Sequence, residues 1–333
     1  MSSRKTNLAR ACLALFSLTG AATARAAELI GQPAATAVAG AAPTPAAMPA
    51  PPPPPYSLPW QLRPVTVGTV VRSDTAMALY ENAAGQQGST VATMLLGSYK
   101  VTPNLAPLVR LGFVQNSAPG TDPSGTSFIN PVVGLTYARK LGSFRVAGFL
   151  GGTIPIGAGG GVTPDKGAAG ANKAGIAARS AMDNAMFAVD YFTAIGGVDA
   201  AWVNHRVTIQ AEATVFQLFR ARGAGTAPAT DDTRTNSTFG LHAGVFIIPQ
   251  LSLGGELRYQ RWLTTPTQLV MMKAVPIPDA NLDTTTVAIG PRGHFAIGHG
   301  MFFRPGISYA RGIDKPLSAS SYNMVQVDLP VVF

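Results

Sequence analysis

The sequence predicts an all-β chain that crosses a membrane as a transmembrane antiparallel β-barrel of about twelve strands, with ten or fourteen as alternatives. Three observations predict it. The stretch "SYNMVQVDLPVVF" alternates: Val325, Val327, Leu329, Val331 and Phe333 share one face, and Met324, Gln326, Asp328, Pro330 and Val332 the other. Only 12% of residues are charged, yet past the N-terminus no run reaches the roughly 18 apolar residues of a spanning helix. The 36 Gly and 27 Pro also argue against a helical protein. Finally, the strand-like segments are joined alternately by short and long connections, which suits turns at one end of a barrel and loops at the other.

Residues 1–26 read as a cleavable signal peptide. Arg4, Lys5 and Arg10 precede the apolar "ACLALFSLTGAA", and Ala24-Arg25-Ala26 is a small-x-small cleavage site. The only cysteine, Cys12, lies within it, so the exported chain has no disulfide and no cysteine-ligated metal site. The leader holds four of the 25 basic side chains and none of the 16 acidic ones, which leaves a mild excess of 21 to 16. Export removes nucleic acid as a default partner, and no phosphate loop, dinucleotide fingerprint or zinc spacing is present. No metal and no cofactor is expected.

Residues 27–64 are rich in Ala and Pro and include Pro51 to Pro55, the composition of a disordered, extended periplasmic linker. Such a segment could also reach the cell wall or a periplasmic partner. Tyr56 and Trp60 are placed at the inner membrane face, where amphipathic aromatics prefer to sit.

From residue 65 to 333 the chain reads as strands over 65–80, 89–101, 105–115, 127–139, 144–156, 189–203, 206–220, 237–248, 251–263, 284–297, 300–311 and 322–333. With the apolar parity facing lipid, Tyr99, Tyr137, Trp202, Phe295, Phe303 and Phe333 form a girdle at the turn end. Phe113, Phe192, Phe219, Phe239, Tyr259 and Tyr309 form one at the loop end. Gln217 breaks the apolar face, and a bulge or interfacial depth is expected there. Arg is expected to cost more at the lipid-facing Val327 and Ile289 than at the inward Gln326 and Ala288.

On these residues the chain resembles the bacterial outer-membrane β-barrel superfamily of porin-like and solute-channel proteins. The pattern from Val325 to Phe333 is similar to the terminal strand of that superfamily. The resemblance implies insertion in the outer membrane by the barrel-assembly machinery, with Phe333 as the assembly signal. "INPVVGLTYARKL" and "FRVAGFLGGTIPIG" resemble segments of solute-channel barrels of the aromatic-degradation type.

The same parity points most intramembrane charge inward. The expected pore-lining set is Arg72, Asp74, Lys100, Arg110, Arg145, Asp199, Glu212, Glu256, Arg258, Arg292, His294, Arg304 and Asp328. Arg206, Arg220, His242, Gln210, Gln260 and Gln326 share that parity. Two outcomes are open. Arginines and carboxylates pair and fill a small lumen, or surplus arginines leave an electropositive pore that favours anions. The loop 157–188, with "ANKAGIAARSAMDNAMF", is either a short helix folded inward or a mobile surface loop. No serine has a histidine or carboxylate in a recognisable motif, so no catalytic residue and no enzyme is expected. The functional expectation is passage of small solutes, with a lean to anions. The rival is a non-conducting anchor of an envelope-spanning secretion, export or motility complex.

Overall fold

The computed structural model describes residues 56–223, 231–267, 270, 282–298, 300–315 and 317–333. The signal peptide and the linker up to Pro55 lie outside the described residues. Among the described residues fourteen strands form one antiparallel sheet. They are β1 (Val70–Glu81), β2 (Gln87–Ser98), β3 (Leu105–Ser117), β4 (Gly125–Leu141), β5 (Phe144–Thr153), β6 (Tyr191–Asn204) and β7 (Val207–Arg220). There follow β8 (Thr233–Ile248), β9 (Leu251–Trp262), β10 (Asp283–Gly293), β11 (Phe295–Gly298), β12 (Met301–Phe303), β13 (Gly306–Gly312) and β14 (Asn323–Val332). β1 pairs with β14 from Val70↔Val332 to Leu79↔Asn323, which closes the sheet, and only the short β11 at the turn end has a ladder on one side alone.

The barrel makes twelve passes, because β10 with β11 forms one pass and β12 with β13 another. The second of these is broken at Arg304-Pro305, where proline has no N–H to give to a ladder. The break is bridged by Arg304 N–H to Pro330 O (3.0 Å) and Gly293 N–H to Pro305 O (2.7 Å).

Burial alternates along the strands with the period read from the sequence, as in β7 and β13. At the turn end Tyr99, Tyr137, Phe295 and Phe333 are exposed and Trp202 and Phe303 are partly covered. At the loop end Phe113, Phe192, Phe219, Phe239 and Tyr309 are exposed, with Tyr259 partly covered. Rings pair across neighbouring strands, Phe113 with Phe128 at 5.3 Å and Phe239 with Tyr259 at 6.2 Å between centroids. Gln217 needs no bulge. The β7–β8 register is regular there, and its amide receives Thr235 Oγ1 (2.8 Å) and donates to Arg234 O (3.3 Å).

The inward positions carry costs of their own. Ala288 belongs to an apolar cluster inside the barrel, and the Gln326 amide bonds Asp74 and Arg258. Neither is a cheap site for Arg, since overpacking or a lost hydrogen bond has its own cost. The lipid face is better tested by chemistry at one position. Ile289→Arg is expected to destabilise the barrel by about 2–4 kcal/mol and Ile289→Phe by far less. Urea unfolding in bilayers checks it, and equal penalties would refute the outward placement of Ile289.

The lumen as candidate functional site

Two segments enter the barrel from opposite ends. From the turn end, residues 56–67 rise into the lumen and return to β1. Tyr56, Ser57, Leu58, Trp60, Leu62 and Val65 are buried there, and Tyr56 Oη accepts from Val65 N–H (3.3 Å) where the two limbs meet. Tyr56 and Trp60 are therefore not at the membrane face. Trp60 has 1% of its surface exposed and packs edge-on against His242, with Arg292 over its ring.

From the loop end, the β5–β6 connection folds inward. It carries helices α1 (Lys166–Ala178) and α2 (Asn184–Phe187). Asp165 caps α1 by accepting from Ala168 N–H (2.7 Å). Its small buried residues Ala168, Ala171, Gly175 and Ala178 recur at helical spacing and let it lie close to β3 and β4. After α1 the chain turns sharply, with Ser180 and Ala181 both left-handed (φ 54° and 55°), which aims Arg179 into the barrel. Met186 and Phe187 complete an apolar cluster with Met94, Val114, Ile129 and Leu218.

Polar wall residues fasten both segments. Arg179, with no exposed surface, pairs with Asp74 (2.6 Å) and Asp183 (2.9 Å), and Asp183 also takes Arg110 (2.8 Å). Burial would raise the Asp183 carboxyl, but the guanidiniums of Arg110 and Arg179 outweigh it and hold that group well below the usual carboxylate range. Gln326 links the turn-end segment to Asp74 and Arg258, the wall residues that hold the inward loop. Its amide donates to Asp74 Oδ1 (2.7 Å) and Trp60 O (3.4 Å) and accepts from Arg258 (3.1 Å). Arg258 in turn pairs with Glu256 (2.6 Å) and donates to Ser180 Oγ (3.3 Å).

Asp328 sits between Arg72 (2.7 Å) and Arg292 (2.5 Å). Arg63 supplies a cation to Asp199 and Glu212, each at 3.3 Å. Most of the expected pore-lining charge is thus paired inside the barrel. The exceptions are informative. Lys100 is exposed at the β2–β3 turn and not inside, and Arg206 is likewise exposed at the β6–β7 turn. His294 is partly buried, with its Nε2 at 2.9 Å from Ser252 Oγ. Arg145 and Arg304 have no carboxylate partner among the described residues. Arg145 lies over Tyr56 (5.1 Å) and Arg304 over Phe302 (5.5 Å), both near the turn end.

Sequence parity missed Arg63, Asp183 and Arg179, because none lies on a strand. It also missed a grouping around Ser57. His242 Nε2 is 3.3 Å from Ser57 Oγ, and its Nδ1 is 3.7 Å from Glu256. Ser57 is buried, and Glu256 accepts Trp60 N–H (2.5 Å) and Gln61 N–H (3.4 Å), so these groups fasten the turn-end segment.

No protein-family model matches the chain, and neither does any curated protein. Solved structures do. An outer-membrane channel from Pseudomonas putida F1 superposes with a TM-score of 0.53 at 11% identity, covering 82% of this chain and 98% of that one. The NanC porin gives a TM-score of 0.45 at 9% identity, covering 78% of this chain and 98% of its own. The KdgM porin gives 0.43 at 9% identity, covering 79% and 99%. The chain shares its fold, a closed antiparallel β-barrel of twelve passes, with the Pseudomonas putida outer-membrane channel.

Proposed function

We propose that the protein is an outer-membrane channel for small solutes that prefers anions. The observation that carries the preference is the pair Arg145 and Arg304. The other charges deep in the barrel are matched, whereas these two guanidiniums stand near the turn-end mouth without a carboxylate partner among the described residues. Lys100, Lys140 and Arg206 lie exposed at neighbouring turns, and the described short turns contain no Asp or Glu. Charge of one sign in a confined mouth is screened less than on an open surface and attracts the opposite ion. The fold shared with the Pseudomonas putida channel supports passage as the general role.

The second reading, a non-conducting anchor, is favoured by the two segments that occupy the lumen. Planar-bilayer recordings separate them. A conducting barrel whose reversal potential in a salt gradient moves toward cation preference in Arg145→Gln/Arg304→Gln is the expected result. Unchanged selectivity would discard these arginines as the filter. No conductance, where a control porin conducts, would favour the anchor.

A further inference from the structure

We propose that the turn-end half of the lumen is a binding site for a short peptide and that residues 56–64 are its tethered occupant. The segment has no helix or strand of its own, so its backbone polar groups must be satisfied elsewhere. Side chains of the wall do this at Ser57, Pro59, Trp60, Gln61 and Arg63. Thr208 Oγ1 accepts Ser57 N–H (3.0 Å), and Arg72 and Arg292 each donate to Pro59 O (3.2 Å). Glu256 takes Trp60 N–H and Gln61 N–H, while Arg72 and Gln326 serve Trp60 O. Glu212 accepts Arg63 N–H (2.6 Å), and Gln210 donates to Arg63 O (2.6 Å). Read from the wall, carboxylates meet N–H groups, and arginines and glutamines meet carbonyls.

The wall also makes room for the side chains. A Cβ on Gly240 would stand 2.7 Å from Leu62, and one on Gly306 would stand 2.8 Å from the Trp60 indole nitrogen. Cβ atoms on Gly197 and Gly244 would collide with Arg63 and Ser57. Two anchors set the specificity. Trp60 fills the space between His242, Arg292 and Gly306, and the Arg63 guanidinium meets Asp199, Glu212 and Thr214 (2.7 Å). The ligand class is therefore a peptide without secondary structure that carries Trp and Arg three residues apart. A tethered copy is present at millimolar effective concentration, so it keeps free peptide out until it is withdrawn.

The test uses a fluorescent nonapeptide of the sequence 56–64 and the detergent-solubilised protein, and it does not require the barrel to conduct. The expected result is saturable binding to a chain lacking residues 56–64 and binding about a hundredfold weaker to the intact chain. A nonapeptide with Arg63→Glu should bind poorly to both. Where the deletion fails to fold, judged by heat-modifiable mobility, the full-length Arg63→Glu protein takes its place. Its own segment is repelled by Asp199 and Glu212, and it should bind the wild-type nonapeptide at least about tenfold better than the intact chain does. Equal binding to the intact chain and the variant, or no binding to a folded variant, would overturn the proposal. Bilayer recordings on the same samples judge the channel reading separately. A peptide that binds a silent barrel sustains the site and removes the channel.

Discussion

Replacing Asp328 by Ala is expected to destabilise the barrel by about 3–5 kcal/mol, because it strands two buried cations at once. Asp328 has no exposed surface, and its two oxygens hold Arg72 and Arg292, which are 7% and 2% exposed. Without the carboxylate these guanidiniums keep hydrogen bonds to backbone carbonyls alone, with the Trp60 ring beside Arg292 and the next carboxylates, Asp74 and Glu256, acting through space. Both also fasten Pro59, so the turn-end segment should loosen with them. Asp328→Asn keeps an acceptor without the charge and should cost less. Urea titration in bilayers measures the order, and an Ala variant within about 0.5 kcal/mol of wild type would refute the view that this triad fastens the lumen. It follows that Arg292 is not a free filter charge. Arg292→Gln should act on folding more than on selectivity.

The barrel was legible because the alternation is local. Each strand announces its own parity over about ten residues, and the sequence spans agree with the observed strands within five residues at either end. The breaks beside His294 and at Arg304-Pro305 escaped, since a proline weakens pairing without stopping the alternation. Parity tells which side a charge faces, not what it meets. Arg110 lies on the expected face, but its partner Asp183 comes from a loop 73 residues further along. The turn-end segment was the least legible element. "YSLPWQLRP" has no period and follows five prolines, so nothing local distinguishes it from a linker. Its position is set by Glu256, Gln326 and the wall glycines, more than 130 residues away in sequence. Only the composition carried a hint, a large aromatic and a basic residue within a Pro-rich tract.

Arg179→Ala is expected to release the inward loop from the wall at a cost of about 3–5 kcal/mol, the range for breaking a buried ion pair from one side. Among the described residues, Arg179 is the one cation that pairs with both Asp74 of β1 and Asp183 of the loop. Its loss leaves Asp74 with the Gln326 amide, and Asp183 with Arg110 alone. The apolar contacts of Met186 and Phe187 remain, so the loop should open locally while the twelve passes stay paired. Hydrogen exchange locates the effect: faster exchange over 166–187 with β2 to β4 unchanged is the expected pattern, and unchanged exchange in α1 would refute the latch. Acid should act on the same element. The folded pKa of Asp183 is depressed, so its contribution is complete above the ordinary carboxylate range and is lost as pH falls below about 4 toward the folded value. Wild-type protein should therefore lose protection in α1 on acidification, and the variant should show that loss already at neutral pH. Because Arg258 donates to Ser180 Oγ of the loop and also bonds Glu256 and Gln326, which hold Trp60, freeing the loop removes one of the supports of the turn-end segment as well. The variant should accordingly bind the free nonapeptide more tightly than wild type does, although Arg179 pairs with Asp74 and Asp183 and not with that segment.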